Sequence, residues 1–150
     1  MTVEVLNETD FDVAIEKISN LAAFTIAKMK LHPQTDLSII FVDRDSIAEL
    51  NKRWMGEEGP TDVLSFPMDE LRPGDNSENA ADSLLGDIVI CPQVALEQAS
   101  LANKPVIAEI DLLLVHGLLH LLGFDHADEI EHKEMFDLQQ KILDEWGAIS

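Results

Sequence analysis

The informative stretch is His116-Gly-Leu-Leu-His120-Leu-Leu-Gly123-Phe-Asp125-His126, at the end of a strongly apolar run from Val106 to Leu122. Such a run predicts a buried helix, terminated by Gly123. His116 and His120 are four residues apart, so on a helix their imidazoles project from one face, one turn apart. Gly123 lets the chain leave the helix in a left-handed turn, and His126 follows three residues later, where a third imidazole can return over the first two. Three neutral nitrogens at about 2.0–2.1 Å from a zinc ion, with water in the fourth position, make an open site of the catalytic kind. Bound water then titrates near neutral pH and supplies hydroxide. The expectation is one zinc ion per chain, held by His116, His120 and His126. A lone histidine is ordinarily a satisfied core or surface side chain, but two unpaired imidazoles on an aliphatic helix are unfavourable to bury. His32, before a proline, and His132, between Glu131 and Lys133, read as ordinary.

The spacing H-x-x-x-H-x-x-G-x-x-H resembles that of the metzincin zinc proteases, with one large difference. Those enzymes carry a glutamate general base directly after the first histidine, and here that position is Gly117. A metallopeptidase reading is therefore disfavoured. Asp125 is near enough in sequence to share a proton or to orient a ligand histidine.

Working outward, Val3 to Leu6 reads as a first strand, and Asp10 or Asp12 as the cap of a helix carrying Ile15, Ile18, Ala22 and Met29. Leu37 to Val42 reads as a strand covered on both faces. Ser46-Ile-Ala-Glu49 is a capping box opening a short helix through about Arg53. Asp62 to Phe66 and Asp87 to Cys91 read as two further strands, and Pro92 suits the first turn of the helix that follows. A last amphipathic helix starts near Asp128 and carries Met135, Leu138, Ile142 and Trp146. Residues 69–83, polar and acidic, read as a mobile loop. The order β-α-β-α-β-β-α-α-α predicts one α+β domain over residues 1–150, a small mixed sheet flanked by about five helices with the histidine-bearing helix among them.

The 150 residues, 46% hydrophobic, exclude wholesale disorder. The longest apolar-rich stretch, Ile110 to Phe124, is interrupted by Asp111 and two histidines and is too short for a membrane span. Met1-Thr-Val-Glu-Val5 lacks the basic start and apolar core of a secretory leader. Cys91 alone offers no intrachain disulfide, which fits a reducing cytoplasm. It reads as a small buried side chain. The net charge of −19 opposes non-specific binding to nucleic acid or anionic lipid over the whole surface. The exception is segment 28–53, whose five basic residues (Lys28, Lys30, Arg44, Lys52, Arg53) outnumber its four acids. Trp54 and Trp146 read as packing residues, although Trp54 beside two cations also suits stacking on a base.

With these residues in view, the chain resembles the YbeY family of bacterial rRNA maturation factors. The histidine stretch looks like that family's signature. Leu50-Asn51, Gly59-Pro-Thr-Asp-Val-Leu-Ser-Phe-Pro67 and Leu85-Gly-Asp-Ile88 match it in order and spacing. The resemblance implies a zinc-dependent, cytoplasmic, single-strand endoribonuclease acting in 16S rRNA 3′-end maturation and ribosome quality control. His116, His120 and His126 would be its metal ligands. Implied partners are single-stranded RNA and rRNA, together with the small ribosomal subunit and its assembly factors; neither membrane nor DNA is expected. RNA is then expected on the 28–53 side. An assembly factor with a structural zinc is the alternative, opposed by the open fourth position.

The sequence departs from the family pattern once. Many members carry an arginine directly before the glycine leading into the P-T-[DN]-V-L-S-F stretch, and here Met55 stands there. If the short helix continues through Met55, Lys52 shares its face. If the chain runs extended from Arg53, that residue aligns with Met55 instead. Arg53 is the expected catalytic cation, because guanidinium grips phosphate with two parallel hydrogen bonds.

Overall fold

Four short strands carry the alternation of side chains that gives a sheet two differently covered faces. In the computed structural model, which describes residues 3–32, 34–69, 71–74, 83–125 and 128–149, these are β1 (Val3–Asn7), β2 (Asp36–Phe41), β3 (Val63–Pro67) and β4 (Leu84–Ile90). They lie in the order β1-β2-β4-β3. β1 and β4 flank β2 in parallel, and β3 pairs with β4 antiparallel at the edge. The helices are α1 (Ile15–Lys28), α2 (Arg44–Leu50), α3 (Pro92–Leu101), α4 (Val106–Leu121) and α5 (Glu129–Ile149), with a π-helical turn (Asn51–Met55) continuing α2. This is the expected α+β domain: a small mixed sheet with five α-helices. Among the described residues, no helix is long and apolar enough to cross a membrane.

Alternate residues divide the core in two. Leu37, Ile39, Phe41, Ile88 and Ile90 pack under Ile18, Leu21, Ala22 and Ile26 of α1 and under Leu113, Leu114, Leu118 and Leu121 of α4. Met135 and Ile142 of α5 close this layer from outside. On the opposite face Val89, Cys91 and Leu64 meet Ile47 of α2, a much smaller cluster. Both faces of β2 are therefore covered, as its apolar run predicts. Cys91 is buried as a plain core residue.

Two caps differ from expectation. α1 begins at Ile15 with Ala14 at its cap position and no capping side chain, so neither Asp10 nor Asp12 serves. The segment before α1 is instead tied to β1: Asn7 Nδ2 donates to the Phe11 carbonyl at 2.8 Å. α2 is capped by Asp43, whose carboxylate accepts from the Ser46 N–H at 2.9 Å, three residues before the anticipated cap. Asp43 wins because its side chain sits at the true helix entry and an ionised acceptor bonds more strongly there than a hydroxyl. Of the loop 69–83, residues 70 and 75–82 lie outside the described residues. Residues 71–74 are anchored, with Leu71 in the core and the Gly74 N–H donating to the Met29 carbonyl at 2.8 Å.

Near the start of α4, Asp111 lines a small cavity of about 170 Å³ with Phe11, Val13, Lys17 and Ile110. Burial pushes its carboxyl up to about 6, while Lys17 pulls it downward. Below about pH 4 the acid is protonated in folded and unfolded chains alike and carries no penalty. As pH rises through 6 the folded chain must ionise a half-buried group, so stability falls. Asp111→Asn is expected to stabilise the protein by roughly 1–2 kcal/mol at pH 7.5, allowing for partial exposure. The gain should shrink toward zero near pH 4, and urea unfolding at both pH values checks it.

Candidate active site

α4 is apolar almost all round, and its burial fixes the direction of the few polar side chains it carries. His116 and His120 emerge half-buried on the side of α4 that meets the edge strand β3. Their Nε2 atoms converge to 3.1 Å, with ring centroids 4.5 Å apart and planes at 81°. Two nitrogens bound to one tetrahedral ion at about 2.0–2.1 Å lie about 3.3–3.4 Å apart. The pair is thus spaced to share a metal ion with little adjustment.

Orientation comes from α5. His116 Nδ1 lies 2.9 Å from Gln139 Oε1. An amide oxygen only accepts, so this contact is a hydrogen bond in the tautomer that carries its proton on Nδ1. Gln139 is only 4% exposed. Sequence reading passed over it, yet a signal was there: it falls four residues after Met135 and three before Ile142, a polar side chain on an otherwise core-facing stripe. Phe136 packs against His116 at 5.7 Å and stacks on His132 at 4.4 Å, so His132 is one ring removed from the pair.

The end of α4 is set by Gly123, at φ 93°. Its N–H donates to the His120 carbonyl at 3.0 Å, and that of Phe124 to the Leu119 carbonyl at 3.1 Å. This is the paired C-terminal closure that a left-handed glycine permits. The Arg72 guanidinium lies against this turn, within 3.0 Å of where a Gly123 side chain would start. His126, the third expected ligand, lies outside the described residues. Asp125 is described, exposed, directly beyond Phe124.

The cleft over the histidines, about 460 Å³, is walled by Met55, Asp62, Val63, Leu64, Ser65, Pro67, His116 and His120. Met55, which stands where the resemblance leads one to expect an arginine, lines the cleft together with the histidines. Arg53 does not line the cleft. The helix runs on through Met55 as a π turn, so the extended chain that would align Arg53 with Met55 is not formed. In this winding residues four to five apart share a side, which excludes Lys52 as well. Arg53 lies over the Trp54 ring at 5.8 Å, and Lys52 pairs with Glu58 at 3.8 Å. The basic excess of segment 28–53 is locally neutralised too: Lys28 pairs with Glu145 and Arg44 with Glu97. Trp146 packs on Phe24 as expected, whereas Trp54 is exposed.

These features define a class: small single-domain α+β proteins that present a histidine pair from a buried helix to an open cleft at a sheet edge. The family model described as endoribonuclease YbeY matches residues 4–147. The endoribonuclease YbeY of Rhodococcus opacus is 51% identical to this chain, covering 97% of it and 82% of the relative. That of a Nocardioides species is 49% identical, covering 99% of each. A solution structure of a Thermotoga maritima protein matches with a TM-score of 0.69 at 30% identity, covering 98% of this chain and 91% of that one. The chain belongs to the endoribonuclease YbeY family.

Gly117, in the place of the peptidase glutamate, faces the sheet. A Cβ there would stand 3.0 Å from Ile88 Cγ2 and 3.1 Å from Ser65 Oγ, and Ser65 Oγ donates to the Gly117 carbonyl at 3.1 Å. Gly117→Ala is expected to lower stability by about 1 kcal/mol net, overpacking outweighing the better helix propensity. Gly117→Glu should cost several times more. Denaturant titration of the two variants measures both.

Proposed function

We propose that this protein is a zinc-dependent endoribonuclease acting on single-stranded RNA, with the 3′ end of 16S rRNA on the small ribosomal subunit as its cellular substrate. Family membership supports the RNA-cleaving class. The observation that carries the metal is the 3.1 Å convergence of His116 and His120 Nε2, with Gln139 holding the His116 ring through Nδ1. His126 is the third ligand in this reading. A metal ion held there supplies Lewis acidity and a bound water of lowered pKa.

The chain's own groups do the rest. His116 and His120 present their Nε2 atoms to the cleft, and Gln139 holds the His116 ring by a hydrogen bond at Nδ1. The walls from Asp62 to Pro67 set a cleft open enough for an extended strand. Asp62 is held by its own turn, its Oδ1 accepting from the Val63 N–H at 2.7 Å. Peptide hydrolysis of the metzincin type lacks its glutamate base, because Gly117 stands in that place and packs on the sheet. Assembly factors of the small subunit are the partners this reading implies, in the cytoplasm.

Purified protein should contain one zinc per chain and cleave single-stranded RNA, with activity lost to a chelator and restored by zinc. His116→Ala, His120→Ala and His126→Ala should each reduce cleavage by at least about 100-fold and lower metal content and thermal stability. Stoichiometric zinc at unchanged affinity in all three variants would overturn the ligand set. Gln139→Leu should keep the fold and weaken metal affinity by about 10–100-fold, read by competition with a chromophoric chelator.

A further inference from the structure

Trp54 is the most conspicuous side chain that the site leaves unused. Tryptophan carries a large apolar surface and is strongly buried on average in folded chains, yet this one is 63% exposed. It does not pack the core; its neighbour Met55, 44% exposed, reaches into the histidine cleft from the same turn. The turn is tied down by its own hydrogen bonds. Asn51 is buried beneath it and donates from Nδ2 to the Gly59 carbonyl at 3.0 Å, while the Glu57 N–H returns to the Asn51 carbonyl at 3.3 Å. Gly56, at φ 70°, closes the winding. A π-helical turn is strained relative to an α-helix and concentrates at functional positions. Here its consequence is geometric: it rotates Met55 into the cleft and leaves Trp54 outside it. The Arg53 guanidinium lies 5.8 Å from the indole centroid, a cation on the same platform.

We propose that Trp54 is the stacking platform for a nucleobase of the single-stranded RNA that enters the histidine cleft, with Arg53 beside it meeting the adjoining phosphate. The assignment rests on the nuclease reading for the identity of its ligand, and on the continuity of Trp54 with the cleft through Met55 for its place. Stacking tolerates any base and needs the base unpaired, so the platform selects single strands over duplexes. It also gives Arg53 a role at the entrance rather than at the reacting phosphate. A cation there steers and holds the strand, so its removal acts on binding.

The chain has two tryptophans, and in Trp146→Phe the emission reports Trp54 alone. A short 2′-O-methylated oligoadenylate should quench that emission saturably, and a duplex of the same length should not. Trp54→Ala should raise KM for single-stranded RNA about tenfold with kcat nearly unchanged, and Trp54→Phe should recover most of the loss. Thermal stability should not move in either variant, since the ring is outside the core. Arg53→Ala should raise KM and flatten its salt dependence. Absence of quenching together with an unchanged KM in Trp54→Ala would overturn the platform while leaving the nuclease reading intact. Saturable quenching by single strands in a wild-type protein that cleaves no RNA would uphold the platform and overturn the nuclease reading.

Discussion

The contact between α4 and the sheet at Gly117 is the constraint on which the site depends. A residue without a side chain lets the helix backbone come down onto Ile88 and Ser65, and the Ser65 hydroxyl reaches the Gly117 carbonyl. Once that contact is made, Leu113, Leu114, Leu118 and Leu121 have no freedom to rotate out of the core. The adjacent residue on one side, His116, and the one a turn later, His120, are then aimed at the edge of β3. The same glycine that removes a peptidase base is what brings the helix close enough to make a cleft with the strand.

A second layer of support comes from α5. Its inner stripe is apolar at Met135 and Ile142 and polar at Gln139, and that polar position meets the His116 imidazole. Burying an amide next to a histidine is favourable only because each satisfies the other. The cost of breaking that pair keeps the ring from turning. The orientation of His116 is therefore coupled to the packing of a helix some twenty residues further along the chain.

Electrostatics works against the proposed substrate over most of the surface, given the net charge of −19. Three of the five cations in segment 28–53 are matched to carboxylates of α3, α5 or the turn after Met55. An acidic protein with paired surface cations has little long-range pull on a polyanion. Recognition must then come from short-range features at the cleft mouth, which is the setting in which an exposed aromatic ring beside a guanidinium has most influence.

Sequence by itself determined the element order, the helical histidine pair and the glycine that ends their helix, because each follows from local rules: periodicity, i to i+4 neighbours, and the φ that only glycine adopts easily. The family was legible for the same reason, in contiguous motifs. Tertiary structure alone decided which side of those elements faces what. Asp43 rather than Ser46 caps α2, because a cap depends on where the helix enters, and that is set by packing of Ile47 against the sheet. Gln139 meets His116 across twenty-three residues, a pairing with no local signal beyond a polar residue on an apolar stripe. The winding of one turn at Asn51–Met55 separates Met55, in the cleft, from Arg53 and Trp54 outside it, and a one-residue change in hydrogen-bond register is invisible in composition. Local interactions choose among few backbone states, whereas the direction of a side chain in a site depends on every element packed around it.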